Sequence, residues 1–193
     1  MTNNKIQRLA IIAISAAFLA VASQFTIPLP LVPLTLQTLA VGIIATILKP
    51  LDSVLAVLLY LILGAVGLPV FAGGAAGFGV LFGPTGGFLV GFLIQAALIA
   101  HLTRFDTLIK SGQKRLFWLI FINIIGTFCC LMIGTVQLVF VGKLLLHAAF
   151  KIGFLPFIIP GIVKAILAAM VGYACRRALK TMPYFATTKK TTS

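Results

Sequence analysis

Acidic side chains are almost missing from this chain: Asp52 and Asp106 are the only two in 193 residues, against fifteen lysines and arginines. Both lie near the ends of apolar runs, so the proton relay of an ion-coupled carrier cannot be built from them. Cysteine is scarce and odd in number. Cys129, Cys130 and Cys175 sit within apolar stretches, and together with His101 and His147 they make no metal-ligand spacing, which points to buried thiols and interfacial imidazoles. No Ser/His or Cys/His pair stands at motif spacing, so no catalytic residue is expected. A Gly-Lys-Ser/Thr phosphate loop is also lacking, and Gly77-Phe78-Gly79-Val80-Leu81-Phe82-Gly83 misses the dinucleotide spacing by one residue. No metal, nucleotide or other cofactor is expected.

What the chain has instead is hydrophobicity: 61% of its residues are hydrophobic, 9% are charged, and the mean hydropathy is +1.20. A soluble domain needs a larger polar shell than this. A bilayer core of about 30 Å takes about 20 apolar residues per helix, so the expectation is an all-α integral membrane protein with six transmembrane helices forming a single domain over residues 1–193. The spans fall at roughly 7–25, 34–48, 53–68, 86–102, 116–141 and 155–179, followed by a short basic tail over 180–193. The net charge of +13 gathers at span ends without a continuous basic face, which indicates topology signals and anionic headgroups rather than nucleic acid.

The first run follows Lys5 and Arg8 and contains Ala20-Val21-Ala22, which superficially resembles a leader cleavage site; it is read here as a retained helix. Ala13 and Ala17, and likewise Ala16 and Ala20, stand four apart, a spacing that serves either close approach of another helix or internal packing. Pro28, Pro30 and Pro33 favour an extended connection. Lys49-Pro50-Leu51-Asp52 should turn the second and third spans into an antiparallel hairpin. Glycine then recurs from Gly67 to Gly91, where unusual backbone angles and close approach to a ligand are available, and Gly87 and Gly91 form a small-xxx-small pair.

Lys5, Arg8, Lys49, Arg104, Lys110, Lys114, Arg115, Arg176, Arg177, Lys180, Lys189 and Lys190 all fall on one side of the predicted spans, whereas Lys143 and Lys151 fall on the other. The positive-inside bias therefore places both termini in the cytoplasm and the proline and glycine loops outside. Lys164 alone lies inside a span, roughly 14 Å along a helix that starts near Leu155. An ammonium there needs an anion, water or carbonyl oxygens. A carboxylate-bearing ligand is one answer; snorkelling, or bonding to oxygens freed by Pro160 and Gly161, is another. Gln37, Thr35 and Thr85 could hydrogen-bond a polar ring or bond neighbouring helices, and Phe71, Phe78 and Phe88 could stack on that ring or simply pack.

Val32-Pro33-Leu34-Thr35-Leu36-Gln37-Thr38-Leu39, Gly67-Leu68-Pro69-Val70-Phe71-Ala72-Gly73-Gly74, Leu81-Phe82-Gly83-Pro84-Thr85-Gly86-Gly87-Phe88 and, more weakly, Ile159-Pro160-Gly161-Ile162-Val163-Lys164-Ala165 resemble the BioY family in order and spacing. These are the biotin-specific, membrane-embedded substrate-binding (S) components of energy-coupling-factor (ECF) transporters. The resemblance implies a six-helix bundle in the bacterial cytoplasmic membrane, with an outward-facing biotin site and partners outside this chain: a transmembrane coupling subunit and, through it, two cytoplasmic ATPases. It implies that Thr35, Gln37, Phe71, Gly73, Gly74, Gly83, Thr85, Gly86 and Phe88 bind the ligand with Lys164, which faces the valerate carboxylate while the glycine loop covers the ureido and thiophane rings. It further implies that Ala13, Ala16, Ala17 and Ala20 dock the coupling subunit. Two positions depart from the family. Gly161 stands where an acidic residue is usual three positions before the lysine, as though one residue were deleted, which would turn later side chains by about 100°. Phe88 stands where tyrosine is common. A sibling that binds a related heterocyclic vitamin and a non-transporting membrane assembly protein are the competing expectations.

Overall fold

The computed structural model describes residues 2–109, 111–179 and 184. Long apolar runs with little internal proline become long helices: α1 (Thr2–Gln24), α4 (Gly86–Thr103), α5 (Gly112–Gly142) and α7 (Leu155–Ala178). Four segments, Lys5–Gln24, Gly86–Asp106, Gly112–Gly142 and Leu146–Ala178, are long and apolar enough to cross a bilayer. α2 (Gln37–Ile47) and α3 (Pro50–Ala65) are shorter apolar helices. The 31 residues of α5 make a rod of about 46 Å, so its first turn, Gly112–Arg115, extends beyond the span expected from hydropathy.

Two local structures differ from the sequence reading. α2 begins at Gln37 rather than Leu34, because Leu34–Thr35 (β2) pairs antiparallel with Thr26–Ile27 (β1), in the register Thr26 to Thr35 and Ile27 to Leu34. The prolines between them keep the chain out of the α region, and the ladder satisfies backbone groups that a helix would otherwise have paired. The connection before the last span also contains a helix, α6 (Leu146–Gly153), which is too short to cross a membrane.

α4 packs on α5, α2 and α3; α7 packs on α2 and α5; α1 packs chiefly on α3. Lys49 and Pro50 do join α2 to α3, with Pro50 opening α3 where its missing N–H does no harm. The two helices then part: α2 lies mainly against α7 and α4, and α3 against α1 and α4. Gly87 and Gly91 face α5, where a Cβ on Gly91 would sit 3.0 Å from Cys130 Sγ and one on Gly87 2.5 Å from Gln137 Cβ. On α1, Ile12, Ala16, Leu19 and Ala22 are buried in the core, while Ala13 and Ala17 are exposed.

Both acids lie at the end of the bundle where α1 begins and α7 ends. Arg8 donates to Asp52 at 2.6 Å, and the Tyr184 hydroxyl donates to the other Asp52 oxygen at 2.5 Å. Burial, then the bond to Asp52, pushes the Tyr184 phenol well above its ordinary pKa, so it remains a donor. Lys49 stands 4.9 Å over its ring. Arg176 grips Asp106 with two nitrogens, at 2.7 and 3.4 Å. Lys110, Lys180, Lys189 and Lys190 lie outside the described residues. Removing Asp106 takes both hydrogen bonds from the partly buried Arg176: Asp106→Ala should destabilise the protein by about 1.5–3 kcal/mol, the scale of a hydrogen bond to a charged group, whereas Arg177→Ala, on an exposed position, should change stability by less than about 0.5 kcal/mol, as read by equilibrium unfolding in mixed micelles.

Candidate functional site

A cavity of about 200 Å³ opens at the end of the bundle opposite the acids. Its walls come from the end of the proline segment and β2 (Val32, Pro33, Thr35), the start of α2 (Gln37, Thr38), the loop after α3 (Phe71, Ala72, Ala75, Val80), Thr85 with the start of α4 (Phe88, Leu89, Phe92), the middle of α5 (Thr127, Leu131) and the first half of α7 (Phe157, Gly161, Lys164). Phe157, Gly161 and Lys164 are spaced four and three apart, which puts them on one helical face. The turn that a one-residue deletion would impose therefore does not carry the lysine away from the cavity.

Lys164 is the one charged side chain among these. Its Nζ donates to the Thr35 main-chain oxygen at 3.0 Å. Of the sequence alternatives, the carbonyl contact is thus present, but the oxygen belongs to β2 and not to the helix around Pro160. Within the strand pair, Thr35 is the residue that lines the cavity. Both acidic side chains are taken up in ion pairs with arginines, Asp52 with Arg8 and Asp106 with Arg176, so no carboxylate among the described residues pairs with the lysine.

A fixed polar chain borders the lysine. The Thr35 hydroxyl donates to Gln37 Oε1 at 2.8 Å, and Gln37 Nε2 donates to the Tyr60 hydroxyl at 2.6 Å. Gln37 is therefore locked with one amide proton uncommitted. Farther along, Gln95 Nε2 bonds the Thr38 carbonyl at 3.2 Å and lies 3.4 Å from Thr127 Oγ1.

The apolar walls depend on missing side chains behind them. The Phe71 ring, 1% exposed and edge-on to Tyr60, rests on Gly64, where a Cβ would come 2.2 Å from Cζ. The Phe88 ring, tilted against Phe157 at 6.3 Å, rests on Gly134 in the same way, with a Cβ 2.2 Å from Cδ1.

Thr35, Gln37, Phe71, Thr85, Phe88 and Lys164 thus come together around one cavity. Gly73, Gly74, Gly83 and Gly86 do not line it. Gly73 and Gly74 turn the loop with φ of +64° and +78°, a conformation costly for other residues. Gly86 lets α4 start beneath the loop, since a Cβ there would lie 1.8 Å from the Leu81 oxygen. Gly83 ends a 3-10 turn, its N–H bonded to the Val80 oxygen. Phe78 is 62% exposed and pairs with Phe82 instead of facing the cavity. Of the four alanines, Ala16 is 1% exposed and packs within the chain's own core, and Ala20 is half-buried against it, which leaves Ala13 and Ala17 for an external contact. Thr38, Thr127, Phe157 and Gly161 were not singled out as site residues. The spacing of Phe157 and Gly161 from Lys164 is the signal that would have found those two; Thr127 carries none, because only the docking of α5 on α4 brings it to the cavity.

Comparison with known proteins converges on the same architecture. The crystal structure, at 2.1 Å, of the S-component for biotin from an ECF-type ABC transporter superposes with a TM-score of 0.82 and 25% identity, covering 92% of this chain and 94% of the other. The biotin transporter BioY2 of Lactococcus lactis subsp. cremoris is 46% identical over 96% of this chain and 99% of its own. The biotin transporter BioY of Thermotoga maritima is 34% identical over 85% and 92%, and the probable biotin transporter BioY of Pyrococcus horikoshii 37% over 86% and 94%. A family model, that of the BioY family, matches residues 1–181, nearly the full length over which the helices, the strand pair and the cavity have been traced, and the chain belongs to that family.

Proposed function

We propose that this protein captures biotin on the outer face of a bacterial cytoplasmic membrane, as the substrate-specific component of an ECF-type ABC transporter. It acts by binding, not by catalysis, and ATP hydrolysis belongs to partner subunits. The observation that carries this reading is the Lys164 ammonium, held in an aromatic cavity by a single carbonyl and without a carboxylate of its own. A carboxylate-bearing ligand with an apolar body fits that arrangement: the acid meets Nζ, the rings lie among Phe71, Phe88 and Phe157, and Gln37 and Thr35 offer hydrogen bonds to polar ring atoms. Thr85 lies on the wall beside them. Gly73, Gly74, Gly83 and Gly86 serve by shaping the covering loop.

The sharing of one bundle end by Arg8, Lys49 and Arg176, opposite the cavity, supports an orientation with both termini in the cytoplasm. Ala13 and Ala17, side by side on the exposed face of α1, support docking of the coupling subunit there, because small residues let a partner helix approach closely.

Three measurements test this reading on the purified full-length protein. Labelled biotin should bind with nanomolar affinity, and Lys164→Ala should weaken it about 10- to 100-fold, the scale of one charge-assisted hydrogen bond. Tight binding of another heterocyclic vitamin in place of biotin would overturn the ligand assignment. Gly134→Ala should drive the Phe88 ring into the cavity and weaken biotin at least tenfold, by calorimetric titration. Ala13→Leu or Ala17→Leu should abolish co-purification with the coupling subunit while biotin binding stays within twofold of the parent. An unchanged complex would remove the α1 docking face.

A further inference from the structure

The loop after α3 forms one wall of the cavity, through Phe71, Ala72, Ala75 and Val80, and both of its ends are tied to the bundle by side chains that do not line the cavity. At the first end, the Ser23 hydroxyl lies 2.5 Å from the Val70 oxygen, and Gln24 Nε2 lies 3.3 Å from the Phe71 oxygen. At the second end, Gln137 on α5 donates from its amide nitrogen to two turn carbonyls on either side of Phe82, Leu81 at 3.0 Å and Gly83 at 3.1 Å. Both partners are acceptors, so the amide nitrogen must face the loop. The seat is built for this side chain. A Cβ on Gly86 would come within 2.6 Å of Gln137 Nε2, and one on Gly87 within 2.5 Å of Gln137 Cβ. The Gly86-Gly87 pair is therefore what lets the amide pass under the start of α4 and reach the loop. The two carbonyls lie between Val80 and Thr85, both of which line the cavity.

We propose that Gln137 is the latch of the ligand-covering loop: a positioning residue that sets how slowly the ligand leaves while touching neither ligand nor cavity. This rests on the biotin reading above. With the loop closed, both amide protons are used; a ligand that leaves past Val80 has to displace this segment and break both bonds. Closing interactions absent from the open encounter state act on dissociation more than on association.

The test uses the full-length protein in lipid nanodiscs. Gln137→Leu, which keeps bulk but removes the donors, should release labelled biotin about tenfold faster, with the association rate within threefold of the parent. In the ligand-free protein it should raise amide exchange over residues 78–86 and leave α2 and α7 unchanged. Should Gln137→Leu fail to fold, Gln137→Glu, which keeps the shape but presents a carboxylate to two carbonyls, takes its place with the same expectation. Unchanged dissociation together with unchanged loop exchange overturns the latch, as does a variant that slows association by the same factor. The exchange arm needs no ligand, so a parent protein that does not bind biotin defeats the functional reading and leaves the latch to be judged by the loop alone.

Discussion

An ammonium inside a bilayer is stable only where something replaces its hydration shell, and everything around the cavity follows from how this is arranged for Lys164. The chain supplies one carbonyl, from Thr35. Its two carboxylates are committed at the far end, to Arg8 and Tyr184 on one side and to Arg176 on the other. The remaining donors of the ammonium are what the proposed carboxylate-bearing ligand would meet. Where related proteins are expected to carry an acid, Gly161 leaves only backbone on the cavity wall, so the charge is not cancelled internally. Phe157, Gly161 and Lys164 still share one face of α7 and line the cavity together.

The carbonyl that meets the lysine comes from non-helical backbone, and close packing at glycines shapes the helices around it. α2 is short because the residues before it are spent on β2, whose carbonyl meets the ammonium. α4 and α5 compensate by approaching until Gly87, Gly91, Gly126 and Gly134 have no room for a Cβ. The same closeness seats Phe88 in the cavity wall, and Gly64 does this for Phe71. Dispersion contacts in such a wall are individually small but numerous, so displacing a ring by one methyl group costs more than the area of that methyl suggests.

Much of this was legible in the sequence, for reasons that differ by residue. Long apolar runs announce the outer helices without reference to anything else in the chain. Lys164 stands out because a charge in such a run is rare, and Gly73, Gly74, Gly83 and Gly86 stand out by density. The unusual backbone angles that such a repeat allows are present at Gly73 and Gly74; the approach of the Leu81 carbonyl to Gly86 was not legible, because it is a contact made only when α4 starts beneath the loop. The start of α2 was misplaced because a two-residue ladder is a pairing across the chain, invisible to hydropathy. Thr127 and Gln137 are ordinary polar residues of α5 until α4 docks beside them. Ala16 and Ala17 are neighbours in sequence yet face the core and the exterior respectively, a distinction that the spacing of small residues leaves open until α3 is in place.

The arrangement also determines what the protein leaves to others. A site that holds its ligand through a desolvated charge, aromatic walls and a tethered loop gains affinity from each of them, and release then needs an input that weakens several at once. Among the described residues both acids are engaged in ion pairs remote from the cavity, so no carboxylate there is positioned to take or give a proton beside Lys164. The tethers at Ser23 and Gln24 belong to α1, the helix whose exposed Ala13 and Ala17 mark the proposed docking face. A partner that shifts α1 therefore pulls on the first end of the loop through the same rigid element, whereas the second end stays on α5. A partner docked on the proposed face would thus reach the cavity through α1 and the loop, without any chemistry inside the cavity.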